Sequence, residues 1–143
     1  MLFLNGLNKL QLNSSKSKVL PIWKGNFQVN LEPVIINNET IELVGKVRNL
    51  GFFIRSDFSW VDHTNNICSR VYAGLKLLRK FSSFTPLKTR RNLAFSLLIS
   101  HFIYSDIVMA RLNCDSKRSL QVVFNSITRY VYNVSRYAHI TPF

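Results

Sequence analysis

Residues Val44–Ile67 read VGKVRNLGFFIRSDFSWVDHTNNI. The first half alternates apolar and polar side chains as a strand does, with Asn49-Leu50-Gly51 set inside the run; Ser56-Asp57 break it, and beyond Trp60 the apolar spacing becomes helical. The chain therefore changes character near Trp60. Upstream, KSKVLPIW (16–23), FQVNL (27–31), PVIIN (33–37), TIELV (40–44) and LGFFIR (50–55) are short and rich in Val, Ile and Phe, with Pro21, Gly25, Pro33 and Asn37-Asn38 between them. They read as strands. Ile35-Ile36, a turn over Asn37-Asn38-Glu39 and the run from Thr40 form a hairpin, because Asn tolerates the positive φ of a tight turn. MLFLNGLNKLQ at the start reads as the end of a helix interrupted by Gly6.

Downstream of Trp60, Ile67, Val71, Leu75 and Leu78 recur every three or four residues and predict a helix from Asp62, its N-cap or first-turn acid, to about Phe81. Thr85-Pro86 predicts a second helix with Pro at its first position, where the missing N–H costs nothing. That helix carries LAFSLLISHFIYSDIVMA (93–110), which approaches the length of a membrane span. His101 and Asp106 inside it argue for a buried helix instead. Asn113, Asp115 and Ser116 mark its end, and Leu120, Val123, Phe124, Ile127, Tyr130 and Val131 mark the buried face of a third helix. The expected fold class is α+β: short antiparallel strands and hairpins over residues 1–60, then a three-helix bundle over 61–143.

The 143 residues are 47% apolar, enough for a core, and carry a formal charge of +12. Such an excess favours a polyanionic partner, nucleic acid ahead of an acidic membrane surface. The cations are grouped. Lys76 and Lys80 lie one helical turn apart, opposite the apolar stripe, with Arg70 and Arg79 on its flanks. Lys88, Arg90 and Arg91 open the second helix and Lys117 and Arg118 the third, although cations at a helix N-terminus oppose the macrodipole. Phosphate contact supplies a reason for that placement.

Catalytic and metal-binding patterns are missing. The seven acids form no adjacent pair suited to two-metal chemistry, and Asp57 and Asp62 read as turn and helix caps. His63, His101 and His139 lie in separate segments. Cys68 and Cys114 belong to no CxxC cluster and read as reduced thiols of an intracellular protein. Without a basic leader ahead of Met1-Leu2-Phe3-Leu4 no signal peptide is expected. No cofactor, metal or small-molecule substrate is indicated for this chain, and a membrane is not the expected partner.

Four stretches in order, LQLNSSKSKVLPIW (10–23), VRNLGFFIRSDFSWVDHTNNI (47–67), SLLISHFIYSDIVM (96–109) and LQVVFNSITRYVYNVSRYAHITPF (120–143), resemble the C-terminal palm and thumb of reverse transcriptases from non-LTR retrotransposons. Leu12-Asn13 with Lys16-Ser17 resembles the fourth conserved palm motif, Asn49-Leu50-Gly51 the primer-grip LG motif, FSWVDH the turn leading into the thumb, and Leu120-Gln121, Asn125 and Arg129 a later LQ..N...R motif. The resemblance implies a palm remnant followed by a thumb that lies along a template–primer duplex. It assigns Lys16 to the pyrophosphate leaving group, Leu50 and Gly51 to the primer, and the helical cations to backbone phosphates. The Y.DD hairpin that holds Mg²⁺ in the parent polymerase would precede Leu10. This chain alone is therefore expected to be inactive: a truncated RNA-directed DNA polymerase of a transposable element. The alternative is a small basic nucleic-acid- or acidic-membrane-binding module without polymerase activity.

Overall fold

A computed structural model describes residues 13–23, 31–36, 38–104 and 112–140, and the chain divides into two units, Met1–Ser59 and Trp60–Phe143. The fold is α+β. MLFLNGLNKLQ, FQVNL except Leu31, and the end of the long apolar segment lie outside the described residues.

In the first unit, β1 (Ile35–Ile36) pairs antiparallel with β2 (Glu39–Thr40), matching Ile35 with Thr40 and Ile36 with Glu39. Asn38 precedes β2 at φ 63°, and Glu39 belongs to the strand rather than to the turn; Asn37 lies outside the described residues. The Ile41 N–H donates to the Val34 carbonyl at 2.8 Å and extends the ladder by one bond. KSKVLPIW forms no strand of its own. It begins in the turn Ser14–Lys16 and then makes a single parallel bridge, Val19 to Leu43.

β3 (Lys46–Asn49) and β4 (Phe52–Arg55) overturn the reading of Val47–Arg55 as one strand punctuated by glycine. Asn49 pairs with Phe52 and Lys46 with Arg55, so Leu50-Gly51 is the two-residue loop of a second hairpin. Both loop residues have positive φ, 47° and 89°. That is the signature of a type I′ turn, whose twist matches the twist of the strands it joins. Gly51 meets the requirement without strain, whereas Leu50 pays for a left-handed backbone. Asp57 accepts from Ser59 N–H at 2.9 Å and pairs with Arg55 at 3.3 Å, closing the turn after β4. Among the described residues of this unit Ile41 is the one deeply buried apolar side chain, so two-stranded sheets here rest on little core.

The second unit has a continuous core. α1 (Val61–Arg79) buries His63, Thr64, Ile67, Val71 and Leu75, with Asp62 in its first turn complementing the helix dipole. Leu78 is only half-buried. α2 (Leu87–Leu93) follows Pro86, which sits at the cap rather than inside the helix, and its carbonyl accepts the Arg90 N–H at 3.0 Å. The helix continues through a π segment, Ala94–Ile99, into α3 (Ser100–Ile103). Its buried residues are Ala94, Leu98 and Phe102, four apart, while Phe95, Leu97, Ile103 and Tyr104 face outward. The described part of the apolar segment is thus helical and buried on one face. Among the described residues no helix is long and apolar enough to cross a membrane.

Asn113, Asp115 and Ser116 open the last helix rather than closing the one before it. The Asn113 Oδ1 accepts the Ser116 N–H at 2.9 Å and so caps α4 (Cys114–Tyr132). α4 buries Leu120, Val123, Ile127, Tyr130 and Val131. Phe124, expected on that face, is 41% exposed at its edge and meets the Phe102 ring edge-on, centroids 5.3 Å apart. Asn133, at φ 53°, ends the helix as a left-handed cap. α1 approaches the π segment closely at Gly74: a Cβ there would stand 2.7 Å from the Leu98 Cδ2.

Candidate nucleic-acid interface

The expected contact residues fall in both units. In the first, Lys16 ends the Ser14–Lys16 turn, where its N–H donates to the Asn13 Oδ1 at 3.2 Å and its side chain is exposed. Ser14 Oγ donates to the Glu39 carboxylate and ties this turn to β2. Leu50 stands 81% exposed at the tip of the β3–β4 hairpin beside Gly51. Its place in the turn accounts for that exposure, and single exposed apolar side chains are normal on a protein surface.

In the second unit the helices sort the cations by face. On α1, Lys76 and Lys80 project opposite Val71 and Leu75, and Arg70 and Arg79 lie on the two flanks; all four are exposed. Lys88 and Arg91, three apart on α2, are exposed as well, as are Lys117 and Arg118 in the first turns of α4. Among the described residues, Lys18 pairs with Glu42 and Arg55 with Asp57, both in the first unit. Among the described residues no ion pair holds any of these eight helical cations. The second unit carries twelve Lys and Arg and only three acids, Asp62, Asp106 and Asp115, so its surface lacks the counter-charges that would neutralise a cationic face.

Arg90 departs from the group. It continues the buried series Ala94, Leu98, Phe102 one step back, and its Nε and Nη1 are enclosed without a hydrogen-bond partner. A four-residue step from Ala94 was the available signal, and it places Arg90 inward rather than on the outer face with Lys88 and Arg91. Its charge reaches the hydroxyl of Tyr130 on α4: burial pushes the Tyr130 phenol up and Arg90 pulls it back.

Three further residues escaped the sequence reading or were read otherwise. Arg129, Arg136 and Arg79 meet around one cavity of about 300 Å³, with Ser82, Tyr130, Asn133 and Val134 completing its wall. Arg129 donates from Nε and Nη2 to the Ala138 carbonyl, at 3.3 and 3.1 Å, and so straps the segment after α4 back onto the helix. No periodicity announces this, because Arg136 lies beyond the end of α4 and joins the other two only through the fold.

His63 is buried against the edge of Trp60, its ring 6.3 Å away, and burial first, then the charge of Arg70, holds it below its ordinary pKa. Burial raises the Cys68 thiol, which disfavours the reactive thiolate. Among the described residues no three His, Cys, Asp or Glu side chains gather to hold a metal ion. Family models, curated proteins and solved structures yield no match to this chain.

Proposed function

We propose that the chain is part of an RNA-directed DNA polymerase of a non-LTR retrotransposon and contributes a template–primer-binding surface rather than the chemical step. The observation that carries this reading is the exposed cations of α1 and α2: Lys76, Lys80, Lys88 and Arg91, with Arg70 and Arg79 on the flanks of α1 and no carboxylate among the described residues paired to any. Backbone phosphates are the partner that rewards such a face, through release of condensed counterions. An A-like RNA–DNA duplex read by shape needs no base-specific donors. The order of the four resembling stretches adds support, with Leu50-Gly51 on an exposed tip in keeping with a primer contact. Lys16 on its exposed turn is available to a pyrophosphate, but the chain has no Tyr-x-Asp-Asp to hold Mg²⁺ beside it.

The test is binding to an RNA–DNA duplex across a salt series. Reversing Lys76, Lys80, Lys88 and Arg91 to Glu should flatten the log K against log salt slope by about 0.7 to 0.9 per lost phosphate contact. An unchanged slope would remove these residues from the interface. A second reading, a basic module for an acidic membrane surface, draws on the exposed Phe81 and Phe84 between Lys80 and Lys88. Tight binding to anionic vesicles with none to the duplex would decide for it.

A further inference from the structure

We propose that the cavity lined by Arg79, Arg129 and Arg136 is a receptor for a phosphate monoester, the end of a nucleic-acid strand or a free nucleotide. The three guanidinium-bearing side chains come from the end of α1, the end of α4 and the segment beyond it, and no acid among the described residues lines the cavity. Like charges gather at a cost unless an anion joins them. Helix dipoles account for part of the arrangement, since Arg79 and Arg129 lie in the last turns of their helices. They do not account for Arg136, which lies past the last turn, or for Arg90, which brings a fourth positive charge to Tyr130 in the cavity wall from the first turns of α2.

The cavity is also held in shape before any ligand arrives. The strap from Arg129 to the Ala138 carbonyl, together with the turn that Ala138 N–H closes onto Ser135 O at 3.1 Å, fixes the loop carrying Arg136. Arg129 Nη1 remains uncommitted among the described residues. Ser82 Oγ donates to the Arg79 carbonyl and ties the cavity wall to the end of α1. About 300 Å³ is the lower end of the range for small-ligand sites, and it suits a group that terminates inside. A phosphodiester must enter and leave; a monoester ends there, and its charge of about −1.5 to −2 matches several arginines better than the single charge of a diester. The site is distinct from the outward face of Lys76, Lys80, Lys88 and Arg91, so it does not depend on duplex binding, although Arg79 borders both.

The experiment uses the full chain. Fluorescence anisotropy compares one single-stranded oligonucleotide carrying a 5′-phosphate, a 3′-phosphate or only hydroxyl ends, and thermal unfolding is followed with adenosine monophosphate and with inorganic phosphate. The expected result is at least about tenfold tighter binding of one phosphorylated end, abolished by Arg136→Ala, a single exposed substitution outside the helices. Stabilisation by adenosine monophosphate with no preference for either strand end assigns the site to free nucleotides. Should Arg136→Ala not fold, Arg136→Lys serves, keeping the charge and losing the fork, with a smaller preference expected. Equal binding of all three oligonucleotides together with no stabilisation by either small anion overturns the proposal, whatever the duplex experiment gives. Loss of duplex binding with an intact end preference overturns only the template–primer reading.

Discussion

Substituting Gly74 by alanine tests the packing of the helical unit. In an isolated helix the change is favourable by about 1 kcal/mol, because glycine loses more backbone freedom than alanine. In this bundle the new methyl would lie 2.7 Å from the Leu98 Cδ2, where carbon atoms pack best near 3.5 to 4.0 Å. Leu98 is 1% exposed, so the displaced methyl meets other core atoms, and overpacking of this kind costs about 1 to 3 kcal/mol. The net expectation is destabilisation of up to about 2 kcal/mol. The informative step is the second mutation. Leu98→Ala alone should cost about 2 to 5 kcal/mol through the cavity it leaves, but in that background the Gly74→Ala methyl has room, and its effect should reverse to a gain of roughly 1 kcal/mol. Urea unfolding followed by helical circular dichroism gives all four stabilities. A Gly74→Ala effect of the same sign and size with and without Leu98 would refute the close approach of α1 to the π segment.

Two further outcomes are accessible by simple measurements. His63 is held neutral by burial, so its pKa in the fold lies below the 6.5 of the unfolded chain. The unfolded state therefore takes up the proton first as pH falls; stability should hold above about 6.5, decline below it by at most about 1.4 kcal/mol per pH unit, and level off beneath the folded pKa. His63→Gln should remove that limb, and an acid decline of the same size in the variant would assign it to other groups. With a thiol reagent under native conditions Cys114, which is exposed, should react well before Cys68, whose thiol is half-buried and raised by burial; equal rates would contradict the packing of α1.

The features legible in the sequence are those that repeat. The apolar steps of Ile67, Val71 and Leu75 and of Leu120, Val123 and Ile127 fixed two helices and their inner faces, and an Asn pair between short β-branched runs located the β1–β2 hairpin. The β3–β4 hairpin was hidden because Leu50 is not a residue that advertises positive φ, and Gly51 alone reads equally well as a break within a strand. Arg90 was misplaced because the density of charge around it outweighed its four-residue step from Ala94. The arginine cavity had no local signal at all, since Arg79 and Arg136 lie 57 positions apart in the chain and only the packing of α1 on α4 joins them.

The π segment at Ala94–Ile99 bears on how this chain tolerates changes in its own length. A π turn accommodates one residue more than the α-helical turn it replaces. Loss of one codon there would let the helix close into regular α geometry instead of breaking, because the residue lost is the extra one of the π turn, and Ser100–Ile103 would keep its rotation against Arg90 and Ala94. Phe102 would then still face Phe124. A frame-preserving deletion in this stretch thus leaves the meeting faces as they are, whereas the same deletion in the middle of α1 would rotate the flanking segments by about 100° and throw Ile67 and Val71 out of line with Leu75.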